Sequence, residues 1–516
     1  MPVHGTGALK REHAVLKRMF VSPDPGRARL RGALRAVLGI GGAVALCGLA
    51  GHSLVAAITG GLAALLALFT VLDTTVRGQA VTTALLPVVG FPVLALAAGL
   101  HDHPVARDAA FLAIVGAGVY ARRWGPRGHS LGVFAFMAFF TAQFLHTLPG
   151  QLPELYTAIV LSLLVSSTVR FGLWCYERRQ PPAVALAPVT GRGLARATTR
   201  QAVQATVGGA LALMAGLLLS EERWYWAVGA TWWVFVNTAS RGETLVRGFR
   251  RILGTLIGIP IGLVLVVPLH GAPVPTAVLV AAGVFGIFYT AAVSYTWMVL
   301  SVTVMAGALY GLLGVLDPAL LALRLAETGV GALGAMLAVL LVLPVTTHAT
   351  TDAWIQRALR CVHACTAEAA ARLSGSPTAD PAPRIAELEA LLGRVRLSLA
   401  PLVHPLSPLR ARRVRAGQVL ALLDDCAREV RGLASVAADP EASHDARLAA
   451  ACWRVEASVE ALTTPKPPHG TDPASSLPPH PAAAGPALAH LHGLERALAE
   501  LAAPLRSHPR APLVGA

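Results

Sequence analysis

Residues 252–269 read ILGTLIGIPIGLVLVVPL, an unbroken run without an ionisable side chain between Arg251 and His270. A helix of that length rises about 27 Å, close to the roughly 30 Å hydrocarbon layer of a bilayer. The run is therefore predicted to span a membrane. It is not isolated: of 516 residues, 54% are hydrophobic and only 14% charged, and the mean hydropathy is +0.59. A soluble fold needs polar surface to cover its core. The apolar excess persists although roughly the last third of the chain is polar, so the first two-thirds must be almost continuous membrane span.

Working outward, comparable runs fall at about 33–50, 54–72, 79–100, 129–148 and 154–174, with a shorter one at 109–121. Others follow at about 201–219, 224–239, 274–292, 296–315 and 320–344. Together with 252–269 they make twelve expected spans, grouped six and six. The short run at 109–121 is either a half-span or a helix that draws Arg107 inward. With the N-terminus inside, the inner tail and short loops hold twenty basic residues, whereas the outer loops hold only Arg107 and Arg223 against Asp102, Asp108, Glu221, Glu222 and Asp317. That asymmetry puts both termini in the cytoplasm. It also accounts for the net charge of +15 without nucleic acid as a partner.

Asp73-Thr74-Thr75-Val76-Arg77-Gly78 recurs as Glu243-Thr244-Leu245-Val246-Arg247-Gly248, each time after the second span of its group. Duplication explains the recurrence, and an even number of spans per unit makes the repeats parallel, about a pseudo-two-fold along the membrane normal. After Pro344 the pattern becomes amphipathic: Val419, Leu422, Leu423, Cys426, Val430 and Leu433 follow the helical period. The expected fold is all-α and polytopic, with about twelve transmembrane helices in two six-helix repeats and a C-terminal helical bundle. Its parts are a basic cytoplasmic tail at 1–32, a degenerate first repeat at 33–175, a linker at 176–200, a second repeat at 201–345, a cytoplasmic helical domain at 346–463, and a Pro- and Ala-rich linker with a short terminal helix at 464–516.

Several chemistries are excluded or demoted. The only lysines are Lys10, Lys17 and Lys466, and none follows a glycine, so there is no Walker A loop to hold phosphates. Gly128-His129-Ser130-Leu131-Gly132 fits the hydrolase elbow, but that motif needs a strand-to-helix turn, and here it opens a transmembrane helix. Gly329 to Gly334 matches G-x-G-x-x-G inside a span, where small residues serve close packing. Cys361 and Cys365 share a helix face, yet His363 points away and no fourth ligand is near. No enzyme activity, metal or cofactor is expected.

Candidate functional positions lie within the spans. Gly254, Gly258 and Gly262 form a smooth face for helix packing. Pro87 and Pro92 in the third span and Pro260 in the ninth interrupt helices at matching places, a pointer to the central site of a transporter or to a hinge. Arg35 and Arg170 lie near inner helix ends and are expected to snorkel. Arg324 and Glu327, three apart on the twelfth span, can pair along one face. Trp224, Tyr225 and Trp226 read as an interfacial belt. Arg251, beside Gly254-Thr255 and with no acidic residue one turn away, is the arginine best placed to bind a substrate carboxylate.

The second repeat resembles the fusaric acid resistance (FUSC) family through Arg200, Trp224-Tyr225-Trp226-Ala227, the element Arg251-Ile252-Leu253-Gly254-Thr255-Leu256-Ile257-Gly258, and Arg324, Glu327, Thr328 and Gly331. The first repeat keeps only Asp73, Arg77 and Gly78 of this pattern. Relatives include bacterial exporters of aromatic carboxylic acids and plant aluminium-activated malate transporters. The resemblance implies six-helix units about a two-fold, a cytoplasmic helical domain and movement of organic anions. The expected function is export of organic acids, aromatic ones included, across the inner cell membrane, with Arg251, Thr255, Arg324 and Glu327 as binding residues. A passive anion channel and a membrane scaffold whose bundle recruits partners are the alternatives. The expected partners are the lipid bilayer and a small organic anion, with homo-oligomerisation left open.

Overall fold

The computed structural model describes residues 27–177, 193–238, 240–343, 347–373, 376, 378–403, 410–437, 446–463 and 486–506. The expectations for the basic tail before residue 27, for most of 176–200 and for 464–485 lie outside these residues. Among the described residues the regular elements are all helices. Each predicted run overlaps one of them: α1 (Ala28–Leu49), α2 (Leu54–Thr70), α3 (Val76–Gly99), α4 (Pro104–Ala121), α5 (Gly125–Phe144), α6 (Leu152–Glu177), α7 (Ala197–Leu219), α8 (Tyr225–Phe235), α9 (Arg241–Val266), α10 (Pro273–Thr290), α11 (Tyr295–Leu312) and α12 (Pro318–Leu341).

Nine helical segments among the described residues are long and apolar enough to cross a membrane, α4 and α5 forming one of them. The second helix of each group is the exception. The α2 helix has 17 residues; α8 has 11, about 16 Å of rise. Capping follows the sequence locally: Ser53 accepts from Ala56 N at 3.3 Å to start α2, Thr75 accepts from Gly78 N at 3.0 Å to start α3, and Asp317 accepts from Ala319 N at 3.3 Å to start α12. Such caps satisfy amides that would otherwise lack partners.

The helices fall into two compact units. The first runs through Val236 and resumes at Arg247 to end at Leu343; the second holds Asn237–Val246 and the helices from Thr347 onward. In the first unit α1 packs on α2 and α6, α2 on α6, and α4 on α5. Six helices later, α7 packs on α8 and α12, α8 on α12, and α10 on α11. The same shift relates the packing of α3 on α5 to that of α9 on α11, where a Cβ at Gly254 would lie 2.7 Å from Thr296 O. Between the groups α1 meets α10 and α4 meets α7, and these two contacts exchange under the shift as well.

The recurring motif does not keep one place relative to the helix starts. Gly78 lies two residues past Val76, the first residue of α3, whereas Gly248 lies seven past Arg241, the first of α9. The α9 helix starts earlier because Ser240 accepts from Glu243 N at 3.4 Å.

The second unit comprises α13 (Thr347–Leu373), α14 (Ala382–Val403), α15 (Arg410–Ala437), α16 (Ala446–Thr463) and α17 (Pro486–Arg506). Val419, Leu423, Cys426, Val430 and Leu433 of α15 enter its core together with Leu491, Leu494, Leu498 and Leu501 of α17. The terminal helix is therefore a member of the bundle. Arg454 grips Glu495 at 3.1 Å, and His490 Nδ1 meets Glu429 at 2.9 Å. Cys361 and Cys365 sit in the same core.

Candidate functional site

The short α8 helix is walled in: Tyr225, Ala227, Trp232 and Phe235 are all at most 1% exposed. The helix ends at Phe235 among buried residues, and Asn237 adopts the left-handed region with φ 61°. Carbonyls freed at a buried helix end need donors, and they have them. Arg247 Nε donates to Trp233 O at 3.2 Å, the Tyr295 hydroxyl to the same oxygen at 3.2 Å, and Arg122 Nη1 to Phe235 O at 3.3 Å. The α2 helix is finished similarly, Arg170 of α6 donating to Val71 O at 2.8 Å and to Ala67 O at 2.5 Å. Arg170 thus caps a neighbour instead of snorkelling, donating to Val71 O and sharing Ala67 O with the Val71 amide.

Above these ends lies a cavity of about 130 Å³, walled chiefly by α2, α5, α8 and α11, with Arg251 of α9 and Arg324 of α12 reaching into it. Phe69, Phe140, Phe144, Trp226 and Trp233 give it aromatic walls. The α11 helix lines it from Met298 to Leu309, about 16 Å of rise. Just beyond those limits stand two tyrosines, Tyr295 and Tyr310; the Arg247 guanidinium lies 3.9 Å from the centre of the Tyr295 ring. Arg251 Nη1 donates to the Tyr295 hydroxyl at 3.4 Å. The Arg324 guanidinium lies 4.2 Å from the centre of the Trp226 ring and 5.7 Å from that of Tyr310. Arg251 Nε and Arg324 Nη1 have no hydrogen-bond partner. The site is an apolar slot with a guanidinium at either end.

The sequence-derived positions divide accordingly. Arg251 and Arg324 share the cavity, while Thr255 and Glu327 are buried at 3% and 1% exposure without lining it. The expected pair between Arg324 and Glu327 is not formed: among the described residues no contact within 4.0 Å joins them, because Arg324 turns its face to Trp226. Trp224 and Tyr225 do not form an exposed belt, being 1% exposed; Phe111 and Phe140 pack against them.

Pro87, Pro92 and Pro260 do not line the cavity, and α3 and α9 run helically through them. A membrane helix can absorb a proline when its neighbours satisfy the freed groups. Gly254 and Gly258 meet α11 closely, a Cβ at Gly258 falling 2.9 Å from Thr303 Cβ, whereas Gly262 has its nearest neighbour at 3.8 Å. Ser130, of the hydrolase-like pentad, is fully buried and donates to Thr70 O at 2.7 Å, which makes it a helix-packing residue. Sequence reasoning missed Tyr295, Tyr310, Trp233 and Phe140; the available signal was two tyrosines fifteen residues apart, one just before the predicted span 296–315 and one within it.

Residues 210–338 match a family described as fusaric acid resistance protein-like. The match lies within the part of the chain that holds the long apolar helices. The matched segment holds Trp226, Arg251, Tyr295, Tyr310, Arg324 and Glu327, so the arginines and these aromatic partners lie in the part that is similar to that family. No curated protein and no solved structure matches the chain.

Proposed function

We propose that this protein is a FUSC-family, twelve-span transporter that carries small organic anions, aromatic carboxylates above all, out of the cell through the slot between α2, α5, α8 and α11. The observation that carries this reading is the pair of arginines with unpaired N–H groups at the ends of an aromatic cavity. A guanidinium matches a carboxylate through two parallel hydrogen bonds, and aromatic walls suit a ring. The volume of about 130 Å³ is near that of an engineered apolar cavity of about 150 Å³ that takes up benzene, which favours single-ring solutes.

The recurrence of packing under a shift of six helices supports two six-helix repeats about a pseudo-two-fold, with the slot formed by the second and fifth helices of each. The twenty basic residues of the tail and short loops support cytoplasmic termini, an inner-membrane location and a cytoplasmic bundle. Arg251 is then the arginine that meets solutes first. Reconstituted into liposomes, the protein should move benzenesulfonate, a single-ring anion too strongly acidic to cross lipid unaided, and benzoate should compete with it while benzamide does not. Equal competition by benzamide, or flux no greater than in protein-free vesicles, would remove the anion reading.

A further inference from the structure

Behind Arg324, outside the lining of the slot, lies a further ionisable group that binding alone does not require. Glu327 lies one helical turn from Arg324 on α12, is 1% exposed, and has a carboxylate oxygen, Oε1, without any hydrogen-bond partner. Arg324, 5% exposed, leaves Nη1 equally unpartnered and looks into the cavity. The other charged or titratable groups about Glu327 are Tyr225 on α8, Tyr310 on α11 and Arg223 in the loop before α8. The α7 helix, also packed on α12, brings none to this end. Both tyrosine hydroxyls lack partners. An ionised carboxylate stripped of water, without a donor and without a contacting cation, is strongly disfavoured. The arrangement seen, with Arg324 turned to the slot and Oε1 unpartnered, favours the neutral acid at Glu327.

We propose that Glu327 holds a proton whenever a carboxylate from the slot engages Arg324, and yields it to an ion pair with Arg324 when the carboxylate leaves, so that one anion and one proton cross together. This rests on the anion reading above. A solute carboxylate neutralises Arg324 and adds its own negative charge, which keeps Glu327 protonated. Once the solute has gone, the positive charge of Arg324 needs a partner, and Glu327 is one turn away. The proton comes from water on the side where the anion enters and returns to water where it leaves, so a monocarboxylate crosses without net charge. By reciprocity of linked equilibria, acid tightens anion binding and anion binding takes up protons.

The test is calorimetric titration of the purified full-length protein with benzoate, in buffers of differing ionisation heat and over mildly acid to mildly alkaline pH. Wild type is expected to take up close to one proton per benzoate and to bind up to about tenfold more tightly per pH unit of acidification. The Glu327→Gln variant, a neutral isostere, should bind benzoate with no proton uptake and an affinity indifferent to pH. Wild-type binding without proton uptake would overturn the coupling and leave the anion reading intact, and it can be read without any variant. Retention of the full pH dependence in Glu327→Gln would overturn it too. Failure of wild type to bind benzoate at any pH would remove the anion reading and the coupling with it.

Discussion

Arg251 and Arg324 have the same side chain and opposite company. Arg251 makes one long hydrogen bond to Tyr295 and keeps Nε free, so little must be broken before it can grip a carboxylate. Arg251→Gln should weaken benzenesulfonate binding by roughly 1.5 to 3 kcal/mol, the usual worth of a hydrogen bond to a charged group, without loss of folded protein. Equilibrium binding and the yield of monodisperse protein check both halves of that statement. Cys426 illustrates a residue buried for packing. Burial pushes its thiol up to about 12, so the reactive thiolate is scarce at neutral and mildly alkaline pH and grows only as pH climbs toward that value. Mass spectrometry after maleimide treatment near neutrality should find Cys426 unlabelled in the native protein and labelled after denaturation.

At the scale of elements, the glycine stripe of α9 separates two kinds of position. A Cβ at Gly254 would sit 2.7 Å from Thr296 O and 2.8 Å from Val299 Cβ; backbone cannot yield there, so Gly254→Ala should cost about 1 to 3 kcal/mol as overpacking. At Gly262 the nearest atom is 3.8 Å away, and Gly262→Ala should be neutral or gain up to about 1 kcal/mol from helix propensity. Thermal unfolding of the two variants in one detergent compares them directly.

The stripe was legible in the sequence because small residues at intervals of four announce themselves. The early end of α8 was not. Hydrophobicity continues through Val236, so 224–239 reads as a full span, but what stops the helix is donation from Arg122, Arg247 and Tyr295. Arg122 and Tyr295 lie far away in the chain, and local pattern carries no trace of them. The positions of the twelve apolar helices were legible for the opposite reason, since lipid imposes a length and a composition on each separately. The slot escaped sequence reasoning because the prolines drew the eye to α3 and α9, while the cavity is walled by their shorter neighbours.

At the scale of the whole molecule, orientation is the first thing to measure. A cysteine introduced at Ser435 of α15 should be shielded from an impermeant maleimide in intact cells, and one at Glu221 before α8 should react. The reverse pattern would turn the chain over. The two exchanged contacts, α1 with α10 and α4 with α7, have a consequence of a different kind. Each set of six helices supplies a surface that the other lacks, so the peptide bonds joining them contribute proximity more than shape. Two polypeptides cut between Glu177 and Gly193 and made in the same cell should find one another and co-purify through a tag on either, whereas one made alone should be degraded: the continuous chain is a convenience of synthesis that separate genes could replace.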